Sequence, residues 1–338
     1  MRTIFLLIFT CFVALKSIAM NNIKKVDTLE KISINGNEQW VLVRGEDKNA
    51  PLLIHIQGGP GLPMIPEANQ MGKLLGLEKE YLVAYWDQRG CGKSFNKDIN
   101  PKTITLSQMA DDIIECTKYL LKKYNKDKAI LVGYSIGATT SLMAASKDSA
   151  LFSQLFLVGV DIDIPKANIF ALEFAKSRAK EQNNNKLLKQ IEKLGEKPIL
   201  ESKRFQERVK VLTNLGGIKS GSTYNQLLIS TIKNMLFSKA YSLGDIPKTI
   251  IGMDFCQNAL LPELDTLNLF EKVKSVNVPV HFFQGKLDAI APYETAVSFY
   301  NYLKATNKTF TDFNNSAHMI QYEESDKFVK LLNEKAIK

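Results

Sequence analysis

Four short apolar runs, residues 52–56, 81–86, 129–134 and 155–160, recur along the first half of the chain, and a stretch of helical periodicity separates each from the next. A run of five or six residues that is apolar on both faces suits a strand covered on both sides. Consecutive strands joined through helices run parallel, because the crossover returns the chain to the same end of the sheet. The rhythm therefore predicts an α/β architecture, a mostly parallel sheet flanked by helices. The helical stretches are residues 67–80, the recurrence of Ile113, Ile114, Thr117, Leu120, Leu121 and Tyr124, and residues 137–146. A hairpin precedes them: residues 26–34 and 38–44 alternate around Asn35-Gly36, a pair suited to a type I′ turn.

The rhythm then stops. From Pro165 to about Pro262 the pattern is helical, punctuated by Gly, Asn and Pro, and holds no apolar run of the earlier kind. It resumes at residues 278–283 and closes with an amphipathic helix over 324–335. The economical reading is one sheet domain in two pieces, residues 20–164 and 271–338, with a helical cap over 165–270 inserted between them. Such an insertion leaves and re-enters the sheet at one edge, so it is expected to cover that edge as a lid that sets substrate choice.

Composition adds three points. With 45 % of 338 residues apolar, a packed core is available and bulk disorder is excluded. The formal charge of +9 is concentrated: residues 165–262 carry 16 Lys and Arg against 8 Asp and Glu. Solvated helix faces account for such an excess, and attraction of anionic substrates is the sharper alternative. Of the four cysteines, Cys11, Cys91, Cys116 and Cys256, no pair has metal-ligand spacing, and the set lacks the pattern of a disulfide framework.

Arg2, the apolar run over residues 4–15 and the small-residue stretch Ser17-Ile18-Ala19 read as a signal peptide over residues 1–19, implying export to a periplasmic or extracellular space. Initiation at Met20 would instead leave a cytoplasmic protein. Cys11 is not expected to be lipid-modified, because Ile8-Phe9-Thr10 before it is too bulky for that processing.

Gly133-Tyr134-Ser135-Ile136-Gly137 lies where a strand runs directly into a helix, the context of a nucleophile elbow. A serine hydroxyl needs a base, and the chain has three histidines. His55 and His281 fall inside strands and read as sheet residues. His318 falls in a polar loop between the strand-like residues 309–313 and the final helix. Asp288, just past the strand that ends near Gln284, would orient its imidazole. Asp161 and Asp163, past the preceding strand, are the competitors for that role. The order Ser135, Asp288, His318 is similar to that of the α/β-hydrolase fold. Gln57-Gly58-Gly59-Pro60-Gly61 follows the first apolar strand. It can offer a backbone N–H to a developing oxyanion, from Gly59 or alternatively Gly58, beside the N–H of Ile136. Gly90-Cys91-Gly92-Lys93-Ser94 ends like a phosphate-binding loop, but that pattern needs glycine where the chain has Asp87.

Together, Gln57-Gly58-Gly59-Pro60-Gly61, Asp87-Gln88-Arg89-Gly90-Cys91-Gly92-Lys93-Ser94 and Gly133-Tyr134-Ser135-Ile136-Gly137 resemble the proline iminopeptidases and related α/β hydrolases. The resemblance covers about residues 26–161 and 275–338. It implies a serine hydrolase that cleaves a small ester or amide, an N-terminal aminoacyl or prolyl bond among them, through an acyl-enzyme on Ser135. It implies no metal and no cofactor, a small-molecule or short-peptide substrate, no nucleic-acid partner and no membrane span after leader removal. A receptor that retains the fold for binding is the alternative. The resemblance also implies that Gln57, Gly58, Asp87 and Arg89 support the loops around the site, and that Cys91 has no separate redox role. The chain departs from the family at Gln57, where histidine is usual, and at Tyr134 and Ile136, where Gly and Trp are usual. The family's prolyl enzymes hold the substrate amine with cap carboxylates. Glu173, Glu181, Glu192, Glu196, Glu201 and Glu207 are the cap glutamates, at helical spacings beside Lys and Arg that suit surface pairs.

Overall fold

A computed structural model describes residues 25–195 and 197–336. The leader expected over residues 1–19, Cys11 and the alternative start at Met20 lie outside the described residues. Eight strands form one sheet: β1 (Val26–Ile34), β2 (Asn37–Gly45), β3 (Leu52–Ile56), β4 (Leu82–Asp87), β5 (Ala129–Tyr134), β6 (Phe152–Val158), β7 (Val280–Gly285) and β8 (Lys308–Phe313). Their order is β1-β2-β4-β3-β5-β6-β7-β8. The pairs β1/β2 and β2/β4 are antiparallel and every other pair is parallel. The β1–β2 turn uses Asn35 at φ 45° and Gly36 at φ 73°, the two left-handed positions of a type I′ turn.

Every residue of β3, β4, β5 and β7 is buried, as their unbroken apolar runs require. Helices α1 (Ala68–Leu75), α2 (Leu106–Tyr124) and α3 (Ile136–Lys147) connect the strands up to β6. On one face of the sheet α2 and α3 pack through Ile113, Leu120, Leu142 and Ala145. On the other, α1 and the last helix, α12 (Ser325–Ala336), pack through Met71, Leu75, Phe328 and Leu332. Two elements end at a glycine short of the pattern-based expectation, and the strand expected over 278–283 runs over 280–285. The helix expected over 67–80 stops at Leu75 because Gly76 adopts φ 62°, a left-handed cap. The strand expected over 155–160 runs over 152–158, because the chain turns at Gly159 with φ 56°.

Of the six α-helices described between β6 and β7, the first five are α4 (Ile164–Glu181), α5 (Asn185–Gly195), α6 (Ser202–Asn214), α7 (Tyr224–Phe237) and α8 (Asp245–Leu264). The first three share a small core. Ala171, Ala175 and Ala179 recur every fourth residue on α4 and face Ile191, Leu194, Val211 and Leu212. Two short helices and one longer one complete the chain order: α9 (Leu269–Lys272), α10 (Tyr293–Tyr302) and, before α12, α11 (Ile320–Glu323). Among the described residues no helix is long and apolar enough to cross a membrane.

The register fixes the working edge. Ile56 is paired with Gly133, Tyr134 with Val158, and Val158 with Phe283. The C-terminal ends of β3, β5, β6 and β7 therefore lie side by side, and the residues that follow them meet there.

Candidate active site

Ser135 follows β5 with φ 53° and ψ −124°, a conformation costly for any residue but glycine. The elbow persists because its neighbours are glycines. A methyl group added at Gly133 would lie 2.6 Å from the Ala138 Cα, and one at Gly137 only 2.3 Å from the Gln57 carbonyl oxygen. The strain lifts the hydroxyl above the sheet edge, and α3 begins at the next residue. Ser135 is 8 % exposed.

His318 and Asp288 meet as expected. His318 Nδ1 is 2.8 Å from Asp288 Oδ2, and the carboxylate is fully buried. The backbone N–H groups of Ile290 and Ala291 donate to Oδ1, and Gln284 Nε2 donates to Oδ2 at 3.2 Å. Burial pushes the His318 pKa down, but the charge of Asp288 and its hydrogen bond, then Asp161 and Glu323, outweigh it and raise it to about 8. The turn at Gly159 leaves the imidazole its space, since a Cβ there would lie 3.0 Å from Nδ1. The other histidines are sheet residues. His55 Nδ1 is 3.0 Å from the Tyr134 hydroxyl, and burial holds its pKa near 3. His281 lies between Thr309 and Gln154, and burial holds its pKa near 4.

The serine hydroxyl is engaged differently from the triad expectation. Ser135 Oγ donates to Asp161 Oδ2 at 2.9 Å. Of the three aspartates weighed as the acid, Asp288 holds His318 and Asp161 holds Ser135. Thr139 Oγ1 anchors the Asp161 backbone carbonyl at 2.5 Å. Burial raises the Asp161 pKa to about 6, against the lowering effects of His318 and the serine hydrogen bond. Asp163 is a helix cap, its Oδ1 accepting the Lys166 N–H at 3.1 Å at the start of α4.

The loop after β3 lies against the elbow. A Cβ added at Gly58 would lie 3.4 Å from the Ser135 Cβ, so Gly58 abuts Ser135, and Gly59 follows at φ 142°. Among the described residues the N–H groups of Gly58, Gly59 and Ile136 donate to no protein acceptor. Gln57 Nε2 reaches Cys91 Sγ at 2.9 Å, which pins the loop where the family has histidine. Asp87 takes the N–H groups of Met64, Ile65 and Lys93 at 2.8, 2.9 and 2.9 Å, and the hydroxyl of Tyr241. Burial raises its pKa, and the Tyr241 and backbone bonds oppose that rise. Arg89 braces a more distant junction than the resemblance implied. It forms a bidentate pair with Asp112 of α2 at 2.7 and 2.9 Å and bonds the carbonyls of Ile34 and Asn35 in the hairpin turn. Cys91, Cys116 and Cys256 are free and buried.

The helical insertion reaches the same edge. The Gly217 carbonyl accepts the Ala289 N–H at 2.9 Å, and the Ile218 carbonyl accepts those of His318 and Met319 at 3.0 and 3.1 Å. One loop of the insertion is therefore bonded to both loops that carry the His–Asp pair. Tyr241, bonded to Asp87, and Asp245, paired with Lys93 Nζ at 2.8 Å, tie the far side. Lys93, in the phosphate-loop lookalike, is thus an ion-pair partner within a 3₁₀ turn. Arg208 of α6 points inward, bonded to Asn168, with Asp161 and Asp265 as its nearest carboxylate influences; burial lowers its pKa to about 10. None of these ties has a local sequence signal. Of the cap glutamates, Glu173, Glu181, Glu192, Glu201 and Glu207 are exposed, and Glu196 lies outside the described residues.

Comparison with known proteins agrees with this fold. The chain is 27 % identical over 314 residues to the "Probable aminopeptidase YbaC" of Bacillus subtilis (strain 168), covering 93 % of this chain and 97 % of that protein. An esterase from Exiguobacterium antarcticum superposes with a TM-score of 0.61 at 17 % identity, over 93 % of this chain and all of that one (100 %). The proline iminopeptidase of Mycobacterium smegmatis superposes with a TM-score of 0.62 at 14 % identity, over 90 % of this chain and 96 % of that one. The profile of the alpha/beta hydrolase fold matches residues 51–325, so the chain belongs to the α/β-hydrolase family and resembles its proline iminopeptidase-like members.

Proposed function

We propose that the protein is a serine hydrolase that cleaves a small ester or amide, including the aminoacyl bond of a short peptide, through an acyl-enzyme on Ser135. The observation that carries this reading is the conjunction of a strained serine at the start of α3 with a His318–Asp288 pair at the same sheet edge. In the acylation step the Ser135 hydroxyl turns from Asp161 and gives its proton to His318 as Oγ bonds to the substrate carbonyl carbon. The oxyanion takes the N–H of Ile136 and that of Gly59 or Gly58, donors left unpaired among the described residues. Each such donor is worth roughly 3–4 kcal/mol in the transition state. His318 then protonates the leaving amine or alkoxide, and a water molecule repeats the sequence to release the acid. The buried Asp288 keeps the imidazole in the required tautomer throughout.

The names of the relatives support aminopeptidase and esterase chemistry equally. A panel of aminoacyl and acyl chromogenic substrates separates these, and labelling by a fluorophosphonate tests the nucleophile. The wild type labels and Ser135→Ala does not. A folded wild-type protein that resists the probe would overturn the hydrolase reading in favour of a receptor of the same fold.

A further inference from the structure

Of the fourteen large apolar side chains exposed among the described residues, seven lie in the stretch from Leu228 to Ile251. Single exposed apolar side chains need no explanation, but a concentration of them marks an interaction surface. Two stand furthest out. Phe237, the last residue of α7, is 76 % exposed, and Leu243, in the connection to α8, is 77 % exposed. Ile229, Lys233, Leu236 and Phe237 recur at helical spacing and form one outward stripe of α7. The helix carries no acidic residue.

The charges around that tip are basic and uncommitted. A hollow of about 550 Å³ between α1 and α7 is lined by Asn69, Gln70, Lys73, Lys233, Asn234 and Phe237, with no carboxylate among them. Lys239 follows two residues after Phe237. Among the described residues Lys73, Lys233 and Lys239 have no ion-pair partner. The acids nearby in the chain are engaged: Glu67 with Asn234 and Tyr322, Asp245 with Lys93. A second hollow, of about 310 Å³, joins Phe237 and Lys239 to Lys25 and Arg44, and there Asp27, Glu46 and Glu78 balance the bases. Lys25 is the first described residue, so the apolar run over residues 4–15 joins the rest of the molecule at this same face.

A protruding apolar tip collared by free lysines suits a surface that is anionic outside and apolar just beneath. We propose that the cap docks on an anionic lipid bilayer, with Leu236, Phe237 and Leu243 entering the headgroup boundary and Lys73, Lys233 and Lys239 meeting the lipid phosphates. A protein partner needs a recess shaped to Phe237, whereas a fluid lipid surface closes around the ring wherever it enters. The lysines need no fixed geometry either, because long ammonium side chains reach headgroups while their stems lie along the apolar layer. A chain that keeps its leader brings the apolar run to the membrane at the same face. The docking surface uses none of Ser135, Asp288 and His318, and so is independent of the chemistry at the sheet edge.

The test uses the chain from Met20, the form left by leader removal or by initiation at that residue, so that the apolar run itself contributes nothing. It should sediment with vesicles of equal parts phosphatidylglycerol and phosphatidylcholine, not with phosphatidylcholine alone, and added salt should release it. Phe237→Ser and Leu243→Ser should each lower the partition coefficient roughly 10-fold. Lys73→Gln, Lys233→Gln and Lys239→Gln should each lower it roughly fivefold. All five side chains are exposed, so the variants should keep the wild-type Tm. Phe237→Trp supplies a direct reading of insertion, since its emission should shift to the blue on anionic vesicles and not on neutral ones. Absence of vesicle binding overturns the proposal. Binding that Phe237→Ser leaves unchanged, or that is equal on neutral and anionic vesicles, overturns it too. A concentration-dependent dimer that Phe237→Ser dissolves, in a protein that ignores vesicles, would make this face an interface between copies of the chain instead. Each of these failures would leave fluorophosphonate labelling of Ser135, and with it the hydrolase reading, untouched.

Discussion

The loops that follow β6 and β7 deliver one aspartate each to the same few ångströms of the sheet edge, and they treat it in opposite ways. Asp288 is held by the N–H groups of Ile290 and Ala291, by Gln284 and by His318, so both its oxygens are occupied. Asp161 is also buried but has the Ser135 hydroxyl on one oxygen and, among the described residues, no hydrogen-bond partner on the other. Identical side chains on adjacent strands thus become a permanent support and an unfilled acceptor. The difference comes from the loops. After β7 the chain turns back over the carboxylate and presents its own amides. After β6 it passes directly into α4, whose first turn spends its cap on Asp163.

The largest effect that can test this division is the loss of the Asp288 support. Asp288→Asn should retain the fold and lower kcat by about 10⁴, through loss of tautomer control. The same substitution at Asp161 should cost far less on any substrate. The reverse ranking, read from steady-state kinetics of both variants, would move the acid to the β6 loop.

The two carboxylates should also separate in pH profiles. His318 must be neutral to act as base, and its pKa is raised to about 8, so kcat/KM on a neutral acyl substrate should rise with pH up to about that value. Asp161 contributes to the raising. Asp161→Asn removes that negative charge, and the acid limb should move to lower pH. A limb that stays in place would show that Asp161 does not act on the imidazole.

Stability gives a third separation. Burial raises the Asp161 pKa to about 6, above its value in the unfolded chain. The folded state therefore binds the proton more tightly, and this group favours folding at low pH. That contribution is lost as pH rises from the unfolded pKa through about 6. Above it the charged form opposes folding by about 3 kcal/mol relative to the protonated form, so Asp161→Asn should raise the denaturation midpoint at pH 7.5 and not at pH 4. A gain of the same size at both pH values would trace the effect to packing instead. The smallest effect belongs to Asp163, the control within the same loop. Asp163→Ala should cost about 1 kcal/mol as a lost helix cap and leave the acid limb of kcat/KM in place. A shifted limb would mean that the loop acts as a unit and that Asp161 has no distinct role.

Much of the candidate site was legible in the sequence because its signals are local. Unbroken apolar runs mark buried strands, Asn35-Gly36 marks a tight turn, and Gly133 and Gly137 around Ser135 mark a strained elbow whose clashes involve atoms a few residues away or on the adjoining strand. Chain order then singled out His318 and Asp288, since the other two histidines fall inside strands. The sequence also placed Asp161 and Asp163 past one strand end, but the tertiary structure alone decided that one faces Ser135 and the other caps a helix. That decision turns on β6 ending at Val158, where Gly159 bends the chain. A strand alternates its side chains with a period of two, so a shift in its end or register changes which residues reach the edge. The Gly217 and Ile218 carbonyls on the β7 and β8 loops, the Tyr241 hydroxyl on Asp87 and the inward Arg208 were likewise set by packing alone. These contacts join residues far apart in the chain, and the helical pattern of the insertion specifies an apolar face without specifying where that face will be seated.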